Sequence, residues 1–228
     1  MNNNCELPVD HKGFTFTVTK NRNHATILEK HVILQERSRE RVIMEKQEKT
    51  RYKLAQSVKA CMKTTPVDKI TVKDIVEGAG VARQTFYRNF LDKYDLINWY
   101  FDKLVLACFE QIGVSHTVEE SLTQKLRFIQ EEKSFFMGAF RSDDHNSLKE
   151  HDFELILGFY QELISEKSHK PMEEEIQFLL EMYCQGSVYM TVKWILGGMR
   201  EEPEEMARKL VEAMPPKLCN VFGKLGLL

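Results

Sequence analysis

The stretch from Ile70 to Tyr94 reads I-T-V-K-D-I-V-E-G-A-G-V-A-R-Q-T-F-Y-R-N-F-L-D-K-Y. It divides at Gly78-Ala79-Gly80-Val81, a tight turn between two short helical patterns. Thr71 is placed to cap the first helix, and Asp74, three residues on, suits the positive end of its dipole. Gly78 and Gly80 are expected to end that helix, and the next covers roughly Ala82 to Phe90. Ile75, Val76, Val81, Phe86 and Phe90 have the spacing of a small shared core that fixes how the helices cross. Arg83, Gln84, Thr85, Tyr87 and Arg88 are left on the outer part of the later helix. That face offers hydrogen-bond donors and contains no carboxylate, which suits base edges and phosphates. A helix-turn-helix places the start of its second helix in the major groove in this way.

Apolar residues recur at intervals of three and four on both sides of this stretch. The spacing predicts a helix from about Glu45 to Lys63, with Leu54, Ala55, Val58, Cys61 and Met62 on one stripe, broken at Thr64-Thr65-Pro66. Asp92 is placed to cap a long helix from Lys93 to about Gln111. Further helices are expected near Glu119–Gln130, Lys133–Phe140, Leu148–Ser165, Met172–Met199 and Glu204–Phe222. Pro171 and Pro203 sit where a first helical turn tolerates proline, and Glu173-Glu174-Glu175 suits a helix N-terminus. The fold class expected after Met44 is all-α: a three-helix helix-turn-helix domain followed by a larger helical dimerisation and regulatory domain. The expected boundaries are 1–43, 44–94 and 95–228. Met1 to Ile43 contains one strand-like alternation, Phe14 to Thr19, with no second strand to pair with. It reads as a poorly ordered, dispensable extension. Purine-only codons for Arg39-Glu40-Arg41 would suit a ribosome-binding site ahead of Met44, so translation starting at Met44 is an expectation as well.

Composition agrees with a globular chain: 43% of the residues are hydrophobic and 29% charged. The net charge of −2 hides an asymmetry. Residues 1–95 carry 18 Lys and Arg against 12 Asp and Glu, whereas residues 96–228 carry 14 against 22. A basic front half suits a polyanionic partner. No apolar run approaches the roughly 20 residues that cross a bilayer, and the N-terminus lacks the apolar core of a secretory signal. A cytoplasmic location is expected. The five cysteines are scattered without a C-x-x-C pair, which suggests neither a disulfide framework nor a zinc knuckle. Cys61, Cys108 and Cys184 read as small core residues.

The quoted segment resembles the TetR/AcrR family of bacterial transcription regulators. Thr71, Ile75, Ala79, Gly80, Val81, Thr85, Tyr87, Phe90, Lys93 and Leu96 match that family's pattern residue by residue. Val76 stands where the pattern has a small alanine. Ala82 replaces the serine or threonine that would cap the recognition helix, at a cost of about 1 kcal/mol. The resemblance implies that Tyr87 and Lys93 grip phosphates and that Arg83, Gln84, Thr85 and Arg88 lie near bases. Thr71 and Lys73 complete the candidate DNA-binding set. The continuation Tyr94 to Phe101, Y-D-L-I-N-W-Y-F, is similar to a Gram-positive subgroup that includes regulators of dihydroxyacetone kinase operons. So is the long Glu173–Met199 segment.

Phosphate-cradling glycine loops are absent. Asp143-Asp144-His145, with His151-Asp152 downstream, reads as solvated charge between two helices, so neither a metal site, a cofactor nor an enzymatic activity is expected. Tyr183, Tyr189, Met190 and Trp194 could line a ligand cavity, but core packing is the favoured reading for each. The expectation is a homodimer that binds a near-palindromic double-stranded DNA operator. A small-molecule effector or co-regulator protein would act through the C-terminal domain to shift the spacing of the two recognition helices. The rival reading is a helical interaction protein with a degenerate DNA-binding domain. The dimer is expected to form through the last two long helices, with Ile176, Leu179, Leu180, Tyr183, Gly186 and Ser187 as the contact stripe.

Overall fold

A computed structural model describes residues 44–142, 144 and 148–228. The expectations for Met1–Ile43, and for Asp143 and His145, concern residues outside that set. Gln47 to Leu228 form one compact unit. In the preceding unit, Met1–Lys46, the described residues 44–46 are helical.

Helix α1 runs through residues 44–62 and buries Leu54, Ala55, Val58 and Met62, while Cys61 is half-buried. A short 3₁₀ turn, Val67–Lys69, leads into α2, Val72–Ala79. Thr71 and Asp74 close a full capping box there: the Thr71 hydroxyl accepts from the Asp74 amide, and the Asp74 carboxylate accepts from the Thr71 amide. Gly80 adopts φ +64°, the left-handed conformation that ends helices and that only glycine enters without strain. Gly78 departs from expectation because it lies inside α2 rather than ending it. A Cβ there would overlap the hydroxyl of Ser57, which donates to the Ile75 carbonyl at 2.7 Å. Gly78 therefore allows α1 and α2 to approach closely.

Helix α3, Arg83–Tyr87, is shorter than expected, and its N-cap Ala82 supplies no side-chain bond. Asp92 caps α4, Lys93–Phe109, by accepting from the amides of Tyr94 and Asp95. The C-terminal part comprises α5, Val118–Glu131; α6, Lys133–Ala139; α7, Leu148–Ser168; α8, Glu174–Leu196; α9, Pro203–Glu212; and α10, Pro216–Lys224. Thr117 and Glu120 form a second capping box at α5. The single helix expected over Glu204–Phe222 is thus two. Pro215 and Pro216 have no N–H to continue α9, and each disfavours helical geometry in the residue before it. Pro216 instead opens α10. Pro203 opens α9 as expected, whereas Pro171 lies outside α8, which begins at Glu174 with Glu173 as its cap. Among the described residues there is no strand, and Ile112 and His116 make an isolated bridge.

The core is continuous from α1 to α10. Phe101 packs on Phe136 and Phe140, Tyr100 on Phe135, and Tyr160 on Phe222. Two polar tips anchor α8 to α9 and the turn between them: the Tyr183 hydroxyl donates to Leu210 O, and Trp194 Nε1–H donates to Glu201 O. No described helix is long and apolar enough to cross a membrane.

Candidate nucleic-acid interface

The surface of interest is built upward from a buried platform. Ile75 and Val76 of α2, Phe86 of α3 and the following Phe90 are buried, and Val81 is half-buried in contact with them. Arg51 of α1 secures the far side. Its guanidinium lies 4.9 Å from the Phe90 ring centre and 5.3 Å from that of Trp99, and it donates to the Asn89 carbonyl at 3.0 Å. These contacts hold α1, the end of α3 and α4 together, so α3 rests on a rigid base despite its five residues.

With Phe86 turned inward, Arg83, Gln84, Tyr87 and Arg88 are exposed, and Thr85 is half-buried. No acidic side chain lies on α3. The Arg83 guanidinium donates to the Tyr87 hydroxyl at 3.1 Å and sits 5.5 Å from that ring's centre. The pair presents a cation and a phenol together. Thr71 and Lys73 are exposed at the start of α2, and Lys73 makes only a loose surface ion pair with Glu77.

Lys93 is partly committed inside the fold. Its ammonium donates to the carbonyls of Asp68 and Ile70, at 2.9 and 3.0 Å, and ties the start of α4 to the turn ahead of α2. One donor direction is left for an external acceptor. The same turn reaches the C-terminal part through residues that sequence reasoning missed. Asp68 accepts from the hydroxyls of Ser142, at 2.6 Å, and Tyr94, at 3.0 Å. The Ser142 bond, with those of Tyr94 and the Lys93 charge, holds the Asp68 carboxyl below its ordinary pKa. Burial, with Asp68 beside it, pushes the Tyr94 phenol up to about 12. Nothing in the local pattern marks Ser142, because it lies 74 residues from Asp68. No group of three His, Cys, Asp or Glu side chains able to hold a metal occurs among the described residues.

The second surface with a distinct character lies on α8. The expected contact stripe is largely turned inward: Ile176, Leu180 and Tyr183 are buried within their own chain, and Leu179 and Ser187 are half-buried. Phe178, Met182 and Tyr189, at 62%, 59% and 66% exposure, form the open stripe with Gly186 between them. Together with Phe153 of α7 they line a shallow groove. Of the four residues read as core, Tyr183 and Trp194 are buried, whereas Tyr189 and Met190 are open to solvent.

Two family models match the chain. The model described as "Bacterial regulatory proteins, tetR family" matches residues 59–99, and that described as "Transcriptional regulator C-terminal region" matches residues 116–215. The HTH-type dhaKLM operon transcriptional activator DhaS of Lactococcus lactis is 27% identical over 90 residues, which cover 40% of this chain. The chain thereby spans about half, 48%, of that relative's length. Among solved structures, the dihydroxyacetone kinase operon activator DhaS superposes with a TM-score of 0.52 at 18% identity, covering 78% of this chain and 97% of that one. A TetR-family regulator from Streptomyces coelicolor gives 0.52 at 14% identity, covering 78% and 86%. FadR of Thermus thermophilus, a TetR-family repressor in complex with lauroyl-CoA, gives 0.50 at 14%, covering 72% and 92%. At such identities the structures speak for the fold alone, and the fold is that of TetR-family DNA-binding regulators.

Proposed function

We propose that this chain is a transcription regulator that binds a near-palindromic operator as a homodimer, with its DNA affinity set through the C-terminal helices. The observation that carries the reading is the exposed, acid-free face of α3, with Arg83, Gln84, Tyr87 and Arg88 together on a buried platform. Arg83 and Gln84 have the donor geometry for guanine and adenine edges. Thr85 and Arg88 lie beside them for base contacts, while Tyr87, Lys73 and the free donor of Lys93 suit phosphates and Thr71 flanks them. Residues 44–94 are the DNA-binding part and 95–228 the dimerisation and regulatory part. Met1–Ile43 is an extension that a working chain does without.

The dimer forms across the α7–α8 face. A two-fold axis there would let Phe178, Met182 and Tyr189 of two copies cover one another, with Gly186 allowing close approach. The partial match to DhaS favours the subgroup that includes regulators of dihydroxyacetone kinase operons. Its effector is either a small molecule or a partner protein.

Fluorescence anisotropy with DNA from upstream of the protein's own gene tests the proposal. Sequence-selective binding whose affinity falls steeply with salt is the expected result. Equal affinity for a scrambled duplex of the same length would instead favour a helical interaction protein whose DNA-binding part is degenerate.

A further inference from the structure

A buried hydroxyl of the C-terminal part is committed to an exposed acid of the DNA-binding part. Ser142 follows α6, is 1% exposed, and gives its single hydroxyl proton to the Asp68 carboxylate at 2.6 Å. The same oxygen accepts from the Asp144 amide at 3.2 Å, so the hydroxyl is held both as donor and as acceptor. Tyr94, in the first turn of α4, donates to the same carboxylate oxygen at 3.0 Å. Hydrogen bonds to an ionised acceptor are among the stronger ones, and Asp68 receives two from different elements.

The backbone of Asp68 carries the contact onward. Its carbonyl accepts one N–H of the Lys93 ammonium at 2.9 Å, and the Ile70 carbonyl accepts another at 3.0 Å. The same ammonium lies 5.1 Å from the centre of the Tyr94 ring. An ammonium has three N–H groups at tetrahedral angles, so fixing two of them fixes the direction of the third. That third N–H is the one left for a DNA phosphate, and the place of Asp68 therefore sets where it points. An exposed carboxylate beside a phosphate-facing edge works against binding by like charge. Holding Lys93 in place accounts for its presence.

We infer that Ser142, acting through Asp68, is a positioning residue for the phosphate grip of Lys93. The inference deepens the DNA-binding reading and rests on it. It needs neither a bound effector nor a change of shape. A loose lysine must order its long side chain when it meets a phosphate, and that ordering weakens binding. Here the ordering is done beforehand, by a hydroxyl that belongs to the other part of the chain. Tyr94 supports the same acid from α4 and has the same role to a lesser degree, because its bond is the longer of the two.

The test compares the full chain with Ser142→Ala, Lys93→Ala and the double variant, each well below its melting temperature. Binding to the upstream duplex and to a scrambled one is followed by fluorescence anisotropy over a range of salt concentrations. Ser142→Ala should weaken binding to both duplexes alike, by about five- to tenfold, and flatten the salt dependence. In the Lys93→Ala background the same substitution should change affinity by less than about twofold, since the contact it positions is already gone. A serine that only supports the fold would lower the melting temperature and leave affinity and salt slope as they were. That result would overturn the inference, and so would losses that add in the double variant. Amide hydrogen exchange provides a readout without DNA. Ser142→Ala should speed exchange at Ile70, whose amide bonds the Val67 carbonyl, and at Tyr94, whose amide bonds Asp92, while Cys184 and Val188 of α8 stay unchanged. Unchanged exchange at Ile70 and Tyr94 would also overturn it. Faster exchange there in a chain that binds neither duplex would keep the link from Ser142 to the turn and remove the regulator reading.

Discussion

The α3 platform and the α7–α8 pair both leave side chains open to solvent, and the contrast between them shows how two kinds of partner are specified. On α3 the buried side is the Phe86 ring, with Phe90 buried just beyond it, and the open side is guanidinium, amide and phenol groups. On α8 Leu180 and Cys184 are fully enclosed, and the open side carries an apolar stripe of Phe178, Met182 and Tyr189 between Glu181 and Gln185. A helix with a polar open face needs only its own chain to be stable and can meet a hydrated polyanion. An exposed apolar stripe is satisfied only when something covers it. The first surface suits DNA, and the second suits another copy of the same apolar face.

The most severe way to break that contrast is to remove the platform. Phe86→Ala deletes a fully buried ring beneath α3 and should cost about 3–5 kcal/mol. Chemical denaturation would measure it, with DNA binding lost at temperatures where α5–α10 remain helical. A cost below about 1 kcal/mol would mean that α3 does not depend on this core.

The other surface should fail differently. Met182→Glu with Tyr189→Glu places charge on residues that are already exposed, so the monomer keeps its fold while the dimer weakens by a hundredfold or more. Sedimentation and melting distinguish these effects. A variant that stays dimeric at micromolar concentration would exclude the α7–α8 face as the contact.

A smaller effect separates reading from gripping within the platform. Arg83→Ala should cost about 1–3 kcal/mol and change which sequences are preferred. Lys93→Ala should weaken all duplexes alike. It should also loosen the turn at Asp68 and Ile70, because the ammonium bonds both carbonyls. Lys93→Ala therefore lowers melting temperature as well as DNA affinity, and Arg83→Ala lowers affinity only. Melting losses of equal size in the two variants would reject this division.

What could be read from the amino-acid sequence tracked the range of the interactions. The capping box at Thr71 and Asp74, the left-handed Gly80 and the inward Phe86 are set by neighbours a few residues apart, and each was legible. The role of Gly78 was not, since the atom that excludes a Cβ belongs to Ser57 on another helix. On α8, Ile176 and Phe178 are equally apolar, and periodicity offers no reason to turn one inward and the other out. The break between α9 and α10 had a clear local signal in Pro215-Pro216, which the apolar spacing on either side masked. Lys125 stands among Leu122, Leu126 and Ile129 on the buried side of α5. That position predicts a buried partner without naming Asp152, 27 residues away.

The smallest effect concerns the seam that joins α4 to α7. His151 bonds Asp102 at 2.6 Å. Burial alone would lower the His151 pKa. The bond and charge of Asp102, with Asp152 and Glu154 nearby, outweigh burial and raise it above 6.5. A raised pKa in the folded state means that the folded chain holds this proton more tightly than the unfolded chain does. The resulting stabilisation is complete below pH 6.5 and fades as pH rises through the folded value. A pair this open to water contributes at most about 1 kcal/mol, which for a chain of this size is about 2–4 °C in Tm. His151→Gln should therefore melt below the parent chain at pH 6, and the gap should close by pH 9. Asp68 provides the opposite control: its lowered pKa ties the α2 turn to Ser142 and Tyr94, and that contribution fails on the acid side instead. A gap between His151→Gln and the parent that widens toward alkaline pH would show that the seam is held by packing of the ring on Phe101 and not by its charge.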